Sequence, residues 1–176
     1  MRELYFVRPI AGSALEISEI QYYANGDKKE GRNVAAERFE FVEIRNPGKE
    51  AEALTGVELT RGVYFQFADG AIVEPGGHTV VAADPKAFKS RNGFKPTGKY
   101  IRSLSNNGET VTLFDALGNE IDSVTFKDKA PWPSEADGSG RSLSRVDSAN
   151  GGDGNDPENW KASREKGGTP VRKNDL

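Results

Sequence analysis

The chain has a single imidazole, His78, set in Gly77-His78-Thr79 at the entry to an expected strand. A serine triad would need it as the base, but no serine stands in a Gly-x-Ser-x-Gly elbow. His78 therefore reads as a structural strand-edge residue. Cysteine is absent, so a thiol nucleophile, a disulfide framework and a cysteine-built zinc or iron-sulfur site are excluded. One histidine is too few for a histidine-rich zinc centre. No Gly-x-x-x-x-Gly-Lys-[Ser/Thr] loop occurs, and Gly138-x-Gly140 lacks the third glycine and the βαβ setting of a dinucleotide loop.

Carboxylates remain. Asp137-Gly138-Ser139-Gly140 and Asp153-Gly154-Asn155-Asp156, with Glu158 just beyond, have spacings akin to oxygen-rich calcium loops. Neither completes the Asp-x-Asx-x-Asx-Gly series with a glutamate at the twelfth position. Asx-turns, in which the side chain closes on its own backbone, account for the same residues. Asp137, Asp153, Asn155 and Asp156 are thus candidate calcium ligands as well as turn formers, and calcium is the one cofactor left open. A carboxylate-and-metal hydrolase would draw on the same loops; no catalytic residue is singled out. Pro131-Trp132-Pro133 is the other candidate. Prolines on both sides hold Trp132 in an extended loop, from which it could stack on a sugar or a peptide or pack inward.

The elements that must position these residues read as strands. At 176 residues the chain suits one domain burying roughly 70% of its unfolded surface. Lys and Arg number 24 against 27 Asp and Glu, so no global field draws nucleic acid or an anionic membrane. Glycine (20) and proline (9) punctuate short apolar bursts, as in all-β domains. Leu15 to Tyr23 alternates before the Asn25-Gly26 turn. Gly26 to Arg38 is charged and unpatterned, a solvated loop. Phe39 to Arg45 is apolar on both faces, which marks a central strand. Asn46-Pro47-Gly48 turns the chain, and Val63, Phe65 and Phe67 alternate with Tyr64 and Gln66. A strand follows at Thr79 to Ala83, then a hairpin of Thr110 to Phe114 and Glu120 to Phe126, and Ser142 to Val146 is a short last strand. Ala83 to Phe88 suggests a helical turn capped by Asp84, with Pro85 at its first position. Ser148 to Asp156 is too rich in Gly, Asn and Asp to pack, and the chain from Lys161 onward reads as a flexible tail, residues 161–176. Residues 1–12 are an N-terminal extension in which Leu4 to Val7 could add a strand. No stretch approaches the roughly 20 apolar residues of a membrane span, and Arg2, Glu3 and Arg8 interrupt any signal-like apolar run.

Glu16-Ile17-Ser18-Glu19-Ile20, the run Glu40 to Gly48, and Leu54 to Leu59 resemble the opening of a lamin-tail domain. Phe67-Ala68-Asp69-Gly70, Pro75-Gly76-Gly77-His78, Leu104 to Val111 and Asp156-Pro157-Glu158-Asn159-Trp160 are similar, in order and spacing, to that family's bacterial branch. The resemblance implies an immunoglobulin-like β-sandwich over residues 13–160 and a noncatalytic binding or tethering module of a larger exported protein. It implies an extracellular, surface or periplasmic setting, a protein, cell-surface or glycan partner, and no catalytic residues. Partner contact is expected at loop tips or at an exposed sheet edge, and Trp160 is expected to pin the last segment to the sandwich. Calcium-dependent adhesion or carbohydrate binding is the alternative.

Overall fold

The structure, a computed structural model, describes residues 12–29, 32–146 and 152–172; Leu4 to Val7 and Ser148 to Gly151 lie outside them. Two sheets face each other, and most strands are short because turns interrupt them every few residues. In chain order the strands are β1 (Glu16–Gln21), β2 (Asp27–Lys29), β3 (Arg32–Val34), β4 (Phe41–Arg45), β5 (Glu52–Ala53), β6 (Glu58–Arg61) and β7 (Phe65–Gln66). After β8 (Ile72–Val73) and β9 (His78–Ala82) comes helix α1 (Pro85–Asn92), then β10 (Gly98–Lys99), β11 (Thr110–Phe114), β12 (Glu120–Thr125), β13 (Leu143–Arg145) and β14 (Trp160–Ala162). One sheet runs β10-β9-β4-β1-β13-β14 and the other β12-β11-β6-β7. Only β10 on β9 is parallel within the six-stranded sheet.

The core forms where the inward faces meet. Ile17, Ile20, Val42, Ile44, Val81 and Leu143 of the larger sheet oppose Leu59, Val111, Leu113 and Val124 of the smaller, each such side chain contributing about 1.5–3 kcal/mol by leaving water. The larger sheet is covered on its other side as well. Phe41, Val80 and Ala82 there receive Phe88 of α1, with the Phe41 and Phe88 rings edge to face at 5.5 Å. That double cover is why all residues of β1 and β4 are buried, glutamates included, and it matches the central position expected for Phe39 to Arg45.

Several expectations are corrected. Gly26 to Arg38 is not a plain loop: β2 and β3 pair within it, and a 3-10 turn, Ala36–Phe39, follows. The helical turn extends to Asn92 as α1. Asp84 caps it as expected, accepting from Lys86 N–H at 2.8 Å and Ala87 N–H at 3.0 Å, and Gly93 closes it at φ 82°. Ser142 to Val146 contains β13 but is not the last strand, since β14 adds a further one against it. Of the stretch thought too polar to pack, Gly154 is buried against β12 and Asn155 Oδ1 accepts from Thr125 N–H at 2.8 Å. Residues 163 and 167–170, assigned to a flexible tail, are buried. Polar sequence packed here because the surface that receives it is itself polar: backbone amides meet buried carboxylates. Among the described residues, no helix is long and apolar enough to cross a membrane.

Candidate functional site

Trp132 is 5% exposed and belongs to the core. Its ring lies 6.0 Å from that of Trp160 at 44°, so of the two readings of Trp132 the packed one holds, and the outward stacking platform is corrected. Two indoles close one end of the sandwich, because burying that much apolar area outweighs presenting it to a ligand. Pro131, joined to Ala130 by a cis peptide, is exposed, and Pro133 is half-buried. Trp160 does pin the last segment: its Nε1–H donates to Gly154 O at 3.0 Å, and Arg145 stacks over it at 5.7 Å.

The acidic candidates divide. Asp153 Oδ1 accepts from Asn155 N–H at 2.8 Å, Asp156 Oδ1 from Glu158 N–H at 3.0 Å, and Asn155 Oδ1 is held by β12. Asp137 belongs to a separate loop, where the neighbouring Ser139 carbonyl accepts from Asn25 Nδ2 at 3.0 Å. Among the described residues no three His, Asp or Glu side chains converge in a metal-holding group. His78 is half-buried, with Nε2 3.9 Å from Glu43 Oε1.

The sheet edges at β12, and at β7 and β10, are occupied. Asn155 and Gly154 cover the free edge of β12. At the opposite side the sheets are joined, since Tyr64 N–H donates to Ile101 O at 3.0 Å and Ile101 N–H to Tyr64 O at 2.8 Å. The Phe65 ring lies so close over Gly98 of β10 that no Cβ would fit there. Strand addition has little free backbone to use on these edges.

That junction carries the outstanding surface feature. Ile101 is 66% and Tyr64 41% exposed, side by side in their bridge. A cavity of about 600 Å³ opens beside them, lined by Arg38, Asp84, Lys99, Tyr100, Ile101, Arg102 and others. Arg38 is paired with Asp84 at 2.5 Å, while Lys99, Arg102 and Arg61 are exposed. Arg61 and Arg102 hold left-handed backbones at φ 74° and 77°, and Arg102 Nη1 donates to Arg61 O at 2.6 Å. Beneath, the buried Tyr100 hydroxyl donates to Glu40 Oε2 at 3.4 Å and Leu104 N–H to the same oxygen at 3.1 Å. Burial raises Glu40 to about 7, but at 3% exposure it is sealed in. The surface offers apolar contact, hydrogen-bond donors and positive charge. Tyr64 was legible as the outward residue of Val63 to Phe67; Ile101 was not, because it falls outside every patterned strand.

A second charged group is structural. Arg145, 1% exposed, bridges Asp122 at 2.7 Å and Glu16 Oε2 at 3.6 Å, and Glu16 Oε1 also accepts from Arg45 Nε. Burial raises Asp122 despite the guanidinium beside it. A cation so enclosed is a strut between β1, β12 and β13.

The fold is an immunoglobulin-like β-sandwich of all-β architecture. The chain belongs to the Lamin Tail Domain family, whose model matches residues 8–128. β13 and β14, beyond that segment, complete the larger sheet. Part of the chain is also similar to leucine dehydrogenase of Bacillus subtilis (strain 168), 31% identical over 84 residues, a match covering 44% of this chain and 23% of that protein. The chain thus spans less than a quarter of that relative's length.

Proposed function

We propose that this chain is the binding module of a larger exported bacterial protein and engages a partner protein through the Tyr64–Ile101 surface. The observation that carries the reading is the exposure of these two large apolar side chains in one bridge, beside the 600 Å³ cavity and the Lys99 and Arg102 charges. A rigid scaffold that exposes apolar contact at one spot, beside a cavity lined by Lys99 and Arg102 as well as Glu37, suits a protein segment with apolar anchors and acidic residues placed to meet the two cations. Dehydrogenase chemistry is not carried over from the relative, because the sequence has no dinucleotide loop.

Panning a random peptide library on the full chain, with counter-selection on the Tyr64→Ser/Ile101→Ser variant, tests this. Sequences with one or two apolar anchors flanked by Asp or Glu should be enriched on the unaltered chain alone. Equal enrichment on both proteins would sink the reading. The exposed Tyr64 ring is also of the kind on which sugars stack, so a glycan array probed with the same pair distinguishes carbohydrate binding from protein binding.

A further inference from the structure

Outside the binding surface, the structure buries acids where a sandwich ordinarily meets water. Glu19 of β1 and Glu43 of β4 stand on the outer face of the six-stranded sheet, and both are fully buried. Residues 163–172 cross over them after β14. The crossing segment binds through its backbone: Thr169 N–H donates to Glu19 Oε1 at 2.8 Å and Val171 N–H to Glu43 Oε2 at 2.5 Å. Gly168 passes so near, at φ 77°, that a Cβ would collide with Glu19 Oε1 and lie 2.9 Å from the Phe41 ring.

The remaining contacts come from the sheet. Ser142 and Ser144 hydroxyls donate to Glu19 Oε1, and Ser18 Oγ donates to Glu43 Oε1 at 2.6 Å. Glu19 Oε2 is buried with no hydrogen-bond partner. Cations face the pair only partially. His78 of β9 stands 3.9 Å from Glu43, Arg45 acts on Glu43 along β4, and Arg172 acts on Glu19 while also reaching Glu165 at 3.8 Å. From α1, the Arg91 side chain lies against Gly167. Burial lifts Glu19 to about 7, and burial together with the Glu19 charge lifts Glu43 to about 8.

We propose that residues 163–172 are a strap latched by the Glu19–Glu43 carboxyl pair, docked while the pair keeps a proton and released when both carboxyls ionise. Two adjacent carboxylates in a buried interface repel, and the Glu19 oxygen without a hydrogen bond has its charge offset only in part, by Arg172. Undocking the strap returns both groups to water and uncovers the outer face of the sheet. Because the folded groups hold protons more tightly than free glutamate, docking is favoured at low pH and weakens as pH rises through about 7 to 8.

Amide hydrogen exchange resolved by NMR and corrected for intrinsic rates tests the latch. Between about pH 6 and pH 9.5, protection of Thr169 and Val171 should fall at least about tenfold further than that of Val111 and Leu113 of β11. In the Glu19→Gln/Glu43→Gln variant the strap amides should lose that pH dependence. Gly168→Ala, which adds a Cβ against Glu19 Oε1 and Phe41 on a left-handed backbone, should leave the strap weakly protected at every pH. Strap protection that holds throughout, or that falls in step with β11, overturns the proposal, as does an unchanged pH dependence in the double variant. Should the double variant fail to fold, the side-chain carboxyl carbon resonances of Glu19 and Glu43 in the unaltered chain decide. A midpoint above about pH 6 that tracks the loss of strap protection supports the latch, and midpoints below it, or without that tracking, overturn it.

Discussion

Asn46 offers a sharp test of the packing because an isosteric change reverses the sense of its hydrogen bonds. The side chain is fully buried. Nδ2 donates to Glu50 O at 2.7 Å and to Val73 O at 2.9 Å, while Oδ1 accepts from Gly48 N–H at 2.9 Å. Asn46→Asp keeps shape and volume and preserves the bond from Gly48. It turns a two-proton donor into an oxygen that faces two carbonyl oxygens. Two lost hydrogen bonds cost about 1 kcal/mol each, and leaving buried carbonyls unpaired adds about 1–3 kcal/mol more. A carboxylate confined there raises the cost further, so the expected loss at neutral pH is at least roughly 3–5 kcal/mol. Asn46→Ala removes the bonds without adding charge and should cost less, about 2–4 kcal/mol. In acid the Asp variant should recover part of its deficit, because the neutral acid can donate to one carbonyl. Urea denaturation followed by circular dichroism at two pH values measures all of this. An Asp variant within about 1 kcal/mol of the parent at neutral pH would refute the donor role assigned to the amide.

Other outcomes follow from the same geometry. Glu19, Glu43 and Glu40 bind protons more tightly folded than unfolded, so their stabilisation is complete below about 4.5 and is lost as pH rises through about 7 to 8. Urea midpoints should fall between pH 5.5 and pH 9 by an equivalent of at least ~2 kcal/mol, and Glu40→Gln should flatten part of that slope; a flat profile in the parent chain contradicts the assignment. Trp160→Ala should cost about 3–5 kcal/mol, seen as a lower urea midpoint, because it unseats β14, Trp132 and the 152–155 loop together. Calcium at millimolar concentration should move the melting temperature by less than about 1 °C, since Asp153, Asn155 and Asp156 already spend an oxygen each on backbone amides; a shift of several degrees would make them ligands.

Sequence patterning carried far where one physical rule acts alone. The hairpin of β11 and β12 was legible because alternation brackets Asp115 to Asn119, and Asp115 Oδ1 accepts from both Leu117 N–H and Asn119 N–H at 2.8 Å. The α1 cap was legible because Asp84 and Pro85 act locally. What escaped depends on contacts distant in the chain. Glu19 and Glu43 look like the solvent side of alternating strands until Thr169 and Val171 arrive from the far end. Trp132 between prolines looks like a display loop until Trp160 meets it. The Tyr64–Ile101 surface was half hidden for the same reason: these two residues become neighbours only through a bridge that no local pattern announces.

If Tyr64 and Ile101 receive a partner segment, binding must register at that junction. The most direct measurement is an amide correlation spectrum of the labelled chain titrated with the peptide most enriched by panning. Shifts confined to residues 61–66, 84 and 98–103, abolished in the Tyr64→Ser/Ile101→Ser variant, are the result expected. Shifts centred on the acidic loop at 153–156, on the strap at 163–172, or persisting in the double variant would contradict it.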